Sequence, residues 1–146
     1  MPNRNQQLWS YSLPVALALL APFNILASLG MDVYLPVVPA MPAILGTTPA
    51  TIQLTLTLYM IMLGLGQIVF GPLSDRWGRR PVLLGGALLF AVTSLALAAT
   101  SSATLFLALR LTQAAGASAM LVALFATVRD VYAGRPESAV VYSLLN

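Results

Sequence analysis

Two ionisable side chains other than tyrosine stand inside long uncharged apolar stretches: Asp32 and Arg110. A charge at the centre of a membrane helix costs at least about 2.5–3.5 kcal/mol, so such a residue normally faces a cavity and has a partner. Asp32 sits three residues inside the apolar limit at Leu35, and Arg110 about six inside its own helix end. At 1.5 Å per residue those depths are about 5 Å and about 9 Å, so the two charges can pair. A carboxylate facing a permanent cation can exchange a proton and change the attraction between two helices. The other reading of the same pair is an ion pair that only orients the helices.

Polar residues recur around these charges at helical spacing. Asn24, Ser28 and Asp32 follow i, i+4, i+8 and share one helix face. Gln53, Thr57, Met60, Gly64, Gln67 and Gly71 form a second polar or small stripe, and Arg110 and Gln113 a third. Bringing these faces together would enclose a polar cavity, with Tyr34, Tyr59 and Met60 available to line it. The alternative is interhelical hydrogen bonding without a cavity, a common use of Ser, Thr, Asn and Gln in membrane helices. The small residues Gly85, Gly86, Ala87 and Ala91, and Ala114 to Ala119, are read as packing surfaces that allow close backbone approach.

One stretch is charged: Gly71-Pro72-Leu73-Ser74-Asp75-Arg76-Trp77-Gly78-Arg79-Arg80-Pro81. Asp75, Arg76, Arg79 and Arg80 fall within six positions, between apolar runs on both sides. Gly78 suits a tight turn, and Arg79 and Arg80 suit the cytoplasmic side of a membrane. Asp75 and Arg129 follow the ends of two helices on the same membrane face, so an Asp75–Arg129 latch is expected. The bland reading is a basic turn that only sets topology.

These residues need transmembrane helices to hold them. The chain of 146 residues is 59% hydrophobic and 8% charged, with mean hydropathy +0.88. Soluble domains carry about 25% charged residues, so this composition specifies an all-α membrane protein. Histidine, cysteine and lysine are absent. Disulfides, thiolate or imidazole metal sites and histidine bases are thereby excluded, no cofactor is implied, and an intramembrane enzyme lacks its paired acids. The small positive excess, all arginine, shows no basic stripe of the kind that binds nucleic acid. The partner that composition implies is the lipid bilayer.

Taken in order, the apolar runs predict helices over about 13–35, 50–70, 81–100 and 104–128. The first run is too long for a signal peptide. Pro36, Pro39 and Pro42 break the helix that precedes them, and Thr48 is the expected cap of the second. Residues 138–146 begin another apolar segment, but nine residues cannot cross a bilayer that needs about 20. The chain therefore reads as four spans and the stub of a fifth, cut off. Arginines occur in the amino-terminal tail (Arg4), the hinge, and the 129–137 loop, and in neither of the other two connections. The positive-inside rule then places the amino terminus and both charged loops in the cytoplasm.

At the hinge the chain resembles the major facilitator superfamily, whose signature between helices two and three reads G-x-L-a-D-r-x-G-r-k-x-x-l. Gly71, Leu73, Ser74, Asp75, Arg76, Gly78, Arg79, Arg80 and Leu83 match it, with Ser74 and Arg80 as mild variants. Leu29, Gly30, Pro36, Val37 and Pro39 match the helix-one pattern l-g-x-x-x-x-x-P-v-x-P of the twelve-helix drug:proton antiporters. Arg110 and Gln113 match their helix-four pattern R-x-x-q-g, where Ala114 replaces the glycine. The wording of L-A-S-L-G-M-D-V-Y-L-P and F-A-T-V-R-D-V-Y-A-G-R is similar to the Bcr/CflA-type exporters of chloramphenicol and florfenicol. Those exporters often carry an acid eight residues before the helix-one Asp; this chain has Asn24, which leaves Asp32 as its sole membrane carboxylate.

The resemblance implies part of an amino-terminal six-helix bundle, in a bacterial inner-membrane transporter that exchanges protons for amphenicol drugs by alternating access. Asp32 is then the proton-responsive group, with Arg110, Asn24, Ser28, Gln113, Tyr34, Tyr59 and Met60 around it. Gly71, Asp75, Arg76, Gly78, Arg79, Arg80 and Arg129 form the conformational gate. The remainder of the transporter is a required partner, and these residues alone are expected not to transport. A non-transporting membrane module, a truncated gene product, or a small dimeric four-helix exporter are the competing expectations.

Overall fold

The computed structural model describes residues 13–132 together with Ala139, Val140 and Ser143. The tail bearing Arg4, the Arg135-Pro136-Glu137 segment and most of the expected fifth segment at 138–146 lie outside the described residues. The elements are α1 (Leu13–Asp32), a 3-10 turn (Leu35–Val37), α2 (Met41–Ile44), α3 (Pro49–Trp77), α4 (Arg79–Ala99) and α5 (Ala103–Tyr132). Four helical stretches are long and apolar enough to cross a membrane: Ala18–Val37, Pro49–Trp77, Arg79–Ala99 and Ala103–Tyr132.

Two helices run further than their apolar residues alone suggest. The second span was expected to stop near residue 70 and the fourth near 128, but α3 continues to Trp77 and α5 to Tyr132. At 1.5 Å per residue their 29 and 30 residues reach about 43 and 45 Å. A hydrocarbon core is about 30 Å thick. Asp75, Arg76, Arg129 and Asp130 are therefore carried on helical turns that project past the apolar layer, and not on loops. Pro72 lies inside α3, a position membrane helices tolerate when side chains and neighbouring helices re-satisfy the backbone.

The break between α3 and α4 is consequently a single residue. Gly78 has φ +96° and ψ 157° and ends one helix while beginning the next. Few residues other than glycine adopt that φ. At the opposite end of α3, Thr48 is extended and its side-chain oxygen accepts from Thr51 N at 3.3 Å, the capping role expected of it. The prolines after α1 break regular helix into short turns, as their missing N–H groups require.

Helix α5 is the axis of the bundle. Of its most apolar window 61% is buried, against 17–22% for the other three spans, so α1, α3 and α4 all pack around it. Its small-residue run makes this possible: Ala114, Ala117, Ser118 and Met120 are fully enclosed. Gly86 of α4 and Gly116 of α5 meet backbone to backbone, since a Cβ on either would stand 2.8 Å from the other's carbonyl oxygen. On the α3 side, Ser118 donates to Leu63 O at 2.9 Å, and Gly66 leaves room for its hydroxyl.

Candidate functional site

The guanidinium of Arg110 is the centre of the polar interior. It is 2% exposed and lies between two tyrosine rings, with Cζ 4.3 Å from the centroid of Tyr34 and 4.2 Å from that of Tyr59. Nη1 donates to Gly30 O of α1 and to Gln113 Oε1, both at 2.7 Å. A guanidinium Nη carries two N–H groups, so this nitrogen is fully used. Desolvated cation–π contacts supply about 2 kcal/mol each, and hydrogen bonds to a charged group about 1.5–3. Together they offset the several kcal/mol that burying the cation costs.

The rest of the cluster fixes these groups. The hydroxyls of Tyr34 and Thr55 are hydrogen-bonded at 3.0 Å, and Thr55 donates to Ile52 O at 2.6 Å. The Tyr34 ring also leans on Phe106, with centroids 5.8 Å apart. Gln113 Nε2 donates to Ser94 Oγ at 2.8 Å, and Ser94 donates to Phe90 O at 2.7 Å. Gly30 permits the assembly: a Cβ there would lie 2.7 Å from the Tyr59 hydroxyl and 2.8 Å from the Phe90 ring. A cavity of about 350 Å³ opens beside the cluster, lined in part by Gly30, Tyr34, Phe90, Ser94, Arg110 and Gln113.

Part of Arg110 has no hydrogen-bond partner among the described residues. Nε and Nη2, which form the side-on fork that grips a carboxylate through two parallel bonds, are buried without an acceptor, and so is the Tyr59 hydroxyl. The expected partner Asp32 is not there. It is exposed, and among the described residues it makes no ion pair. The reason is angular. Gly30 faces the tyrosines and α4, and two further residues turn a helix by about 200°, so the Asp32 side chain points away.

The stripes sort accordingly. Tyr34, Tyr59, Arg110 and Gln113 come together: both tyrosines flank the arginine, and Tyr34 also lines the cavity. Ser28, Asp32, Met60, Gln53, Thr57, Gly64 and Gln67 are exposed, and Asn24 is half-buried. The polar faces of α1 and α3 therefore do not close on Arg110; they remain on the outside of these helices. Ser94, Thr55 and Gly30 belong to the cluster but lie outside the polar stripes. Ser94 lies at a position in α4 where nothing in the local pattern distinguishes it from a helix-facing hydroxyl.

The hinge end holds a second network. Arg79 bonds Asp75 through Nη1 at 2.5 Å and Asp130 through Nε at 3.0 Å. The same Nη1 reaches the buried Ser74 hydroxyl, which itself donates to Gly71 O. Arg129 meets its neighbour Asp130 at 3.4 Å. The connection between the α3–α4 hinge and α5 is thus Arg79–Asp130, not Asp75–Arg129. Asp75 near the end of α3 and Arg79 at the start of α4 meet across the turn at Gly78, and it is Arg79 that reaches on to α5. Gly71, Ser74, Asp75 and Arg79 border a cavity of about 400 Å³, with Gln67, Phe125 and Arg129 also in its wall. Because the Asp130 side chain is 47% exposed, Asp130→Asn should cost no more than about 1 kcal/mol of thermal stability. The difference from the parent chain should shrink as salt is raised, which calorimetry in detergent at two ionic strengths would check.

Residues 20–146 match the model of the Major Facilitator Superfamily, and the chain belongs to that family. It is 66% identical over 137 residues to a chloramphenicol resistance protein of Pseudomonas aeruginosa, covering 94% of this chain and 33% of the relative. It is 42% identical over 127 residues to the uncharacterized MFS-type transporter YdgK of Bacillus subtilis, covering 87% of this chain and 31% of that one. With the multidrug resistance protein MdtL of Escherichia coli O157:H7 it shares 37% over 117 residues, 80% of this chain and 30% of the relative. The chain spans about a third of the length of these curated relatives. No solved structure matches it.

Proposed function

We propose that this chain supplies the amino-terminal helices of a proton-driven exporter of amphenicols and related drugs in a bacterial inner membrane. The arginine distribution supports an orientation with the amino terminus, the Gly78 hinge and the end of α5 in the cytoplasm. The name of the Pseudomonas relative supports the substrate class. Within this reading the described helices are part of an amino-terminal bundle. The exposed polar stripes of α1 and α3 face the cavity shared with the rest of the transporter, since exposed Gln and Asp side chains are poorly suited to lipid.

The observation that carries the reading is the buried Nε–Nη2 edge of Arg110, whose Nη1 is bonded to Gly30 O, two residues before Asp32 on α1. With Asp32 protonated, Arg110 stays on the Gly30 carbonyl and the carboxyl faces the cavity. When Asp32 loses its proton, the carboxylate is drawn to the free fork. That requires the end of α1 to turn, which converts a proton transfer into helix movement. Drug and proton compete because they favour different orientations of α1.

The test joins this chain to the remaining two-thirds of the Pseudomonas relative, in place of that protein's matching segment, in a chloramphenicol-sensitive bacterium. The parent should confer resistance, and Asp32→Asn should abolish it while the protein persists in the membrane. Proton-coupled efflux by the Asp32→Asn protein would refute the assignment.

A further inference from the structure

We propose that Ser94 is a positioning residue for Arg110: it fixes the polarity of the Gln113 amide, and thereby which edge of the guanidinium is left for a carboxylate. The inference rests on the coupling role proposed for Arg110, but its first step is a statement about hydrogen-bond direction alone.

The chain of bonds begins at an acceptor that cannot change. Phe90 O lies 2.7 Å from Ser94 Oγ, and a carbonyl only accepts, so the single hydroxyl proton of Ser94 is spent there. What Ser94 offers Gln113 at 2.8 Å is therefore a lone pair, and only the amide nitrogen can meet it. The amide oxygen is then turned toward Arg110, where it accepts from Nη1 at 2.7 Å. An inverted amide would set N–H groups against a guanidinium that has only donors. The second Nη1 proton goes to Gly30 O. Nη1 is saturated, so Nε and Nη2 are the atoms left over. One hydroxyl on α4 thus orders a directed relay through α5 to the backbone of α1.

The relay explains why α4 contributes to a site whose ionisable groups lie on α1 and α5. Ser94 and Gln113 lie on two of the helices long and apolar enough to cross a membrane, and Gln113 is buried. Without Ser94 the Gln113 amide is held at one end only, by Arg110 Nη1, and the anchor it provides for the guanidinium is loosened.

The test uses the whole 146-residue chain, labelled with nitrogen-15 arginine, in lipid nanodiscs, and reads hydrogen exchange at the Arg110 Nη protons. Arg110→Lys identifies the resonance. Ser94→Ala should speed Nη1 exchange by about tenfold, the scale set by loosening one hydrogen bond to a charged group. Ser94→Thr, which keeps the hydroxyl, should restore protection. The deciding arm is the Gln113→Glu background, where both side-chain oxygens accept and there is no amide to orient: there Ser94→Ala should leave exchange unchanged. An equal acceleration in both backgrounds would show that Ser94 acts by packing and overturn the inference, as would undiminished protection in Ser94→Ala itself. If Ser94→Ala does not fold, folding of the Ser94→Ala, Gln113→Glu double variant supports the relay and its failure overturns it. None of these readouts depends on transport, so loss of the proposed function of Asp32 would leave them standing.

Discussion

Gly116→Leu is expected to abolish the folded bundle. A Cβ at this position would lie 2.8 Å from Gly86 O and 2.9 Å from Phe90 N, and both are backbone atoms of α4. No rotamer change relieves such a clash, so α4 and α5 must separate. These helices form the largest contact in the bundle, and α5 carries the core residues Met120, Ala123, Leu124 and Val128. Overpacking a core costs about 1–3 kcal/mol when side chains can shift, and more when they cannot. The loss should therefore exceed about 3 kcal/mol. Gly64→Leu and Gly85→Leu are the matched controls: a Cβ at either meets nothing within 4 Å. Thermal unfolding in detergent followed by circular dichroism should show a lost transition for Gly116→Leu and near-parental curves for both controls. A parental transition for Gly116→Leu would mean that the Gly86–Gly116 contact does not hold these helices together.

The second large effect is at Arg110. Lysine keeps the charge but has no planar fork: its three N–H groups share one nitrogen, so bonding Gly30 and Gln113 leaves a single donor in place of the two-bond edge that grips a carboxylate. Arg110→Lys in the joined transporter should reduce proton-coupled chloramphenicol efflux by at least about tenfold, since two charge-assisted bonds of about 1.5 kcal/mol or more each are displaced. The fold should survive, because the ammonium still sits between the rings of Tyr34 and Tyr59 and retains their attraction. Efflux assays in inverted vesicles, alongside size-exclusion profiles, separate the two. Full efflux by Arg110→Lys would show that the fork plays no part.

Much of this arrangement is written in the sequence, and the part that is not has a physical reason. Four spans follow from apolar run length, and the hinge glycine from its place between charged residues. The run from Ala114 to Ala119 announced a close-packed helix, and α5 is the axis. What periodicity leaves open is how each helix is rotated about its own axis relative to its neighbours. Asp32 and Arg110 stand at compatible depths, yet a turn of about 200° between Gly30 and Asp32 separates them. In a membrane the polar face of a helix can point to a packed partner or to a shared cavity, so the stripe on α3 did not say which. The hinge shows the same limit at closer range. Asp75, Arg79, Arg129 and Asp130 share one membrane face, and charge alone allows several pairings. The turn at Gly78 brings Asp75 and Arg79 together, and only the packing of α5 beside the hinge selects Asp130 as the further partner.

Helix ends were misplaced for a related reason. Charged residues after an apolar run read as loop, because a charge ends the apolar layer. It need not end the helix: α3 and α5 continue for another turn or more with their backbone bonds intact, and place Asp75 and Arg129 around one cavity. The Ser94–Gln113 relay was hidden more deeply. A serine in a membrane helix usually bonds its own backbone, which Ser94 does, and its second role appears only when α5 is set against it.

The central claim is that Asp32 is the group whose proton is exchanged for drug. Its most direct test is proton release on drug addition, followed with a pH indicator in a weakly buffered solution of the purified joined transporter. Chloramphenicol should release protons from the parent and none from the Asp32→Asn protein, although the latter still binds the drug. Undiminished release from Asp32→Asn would contradict that claim.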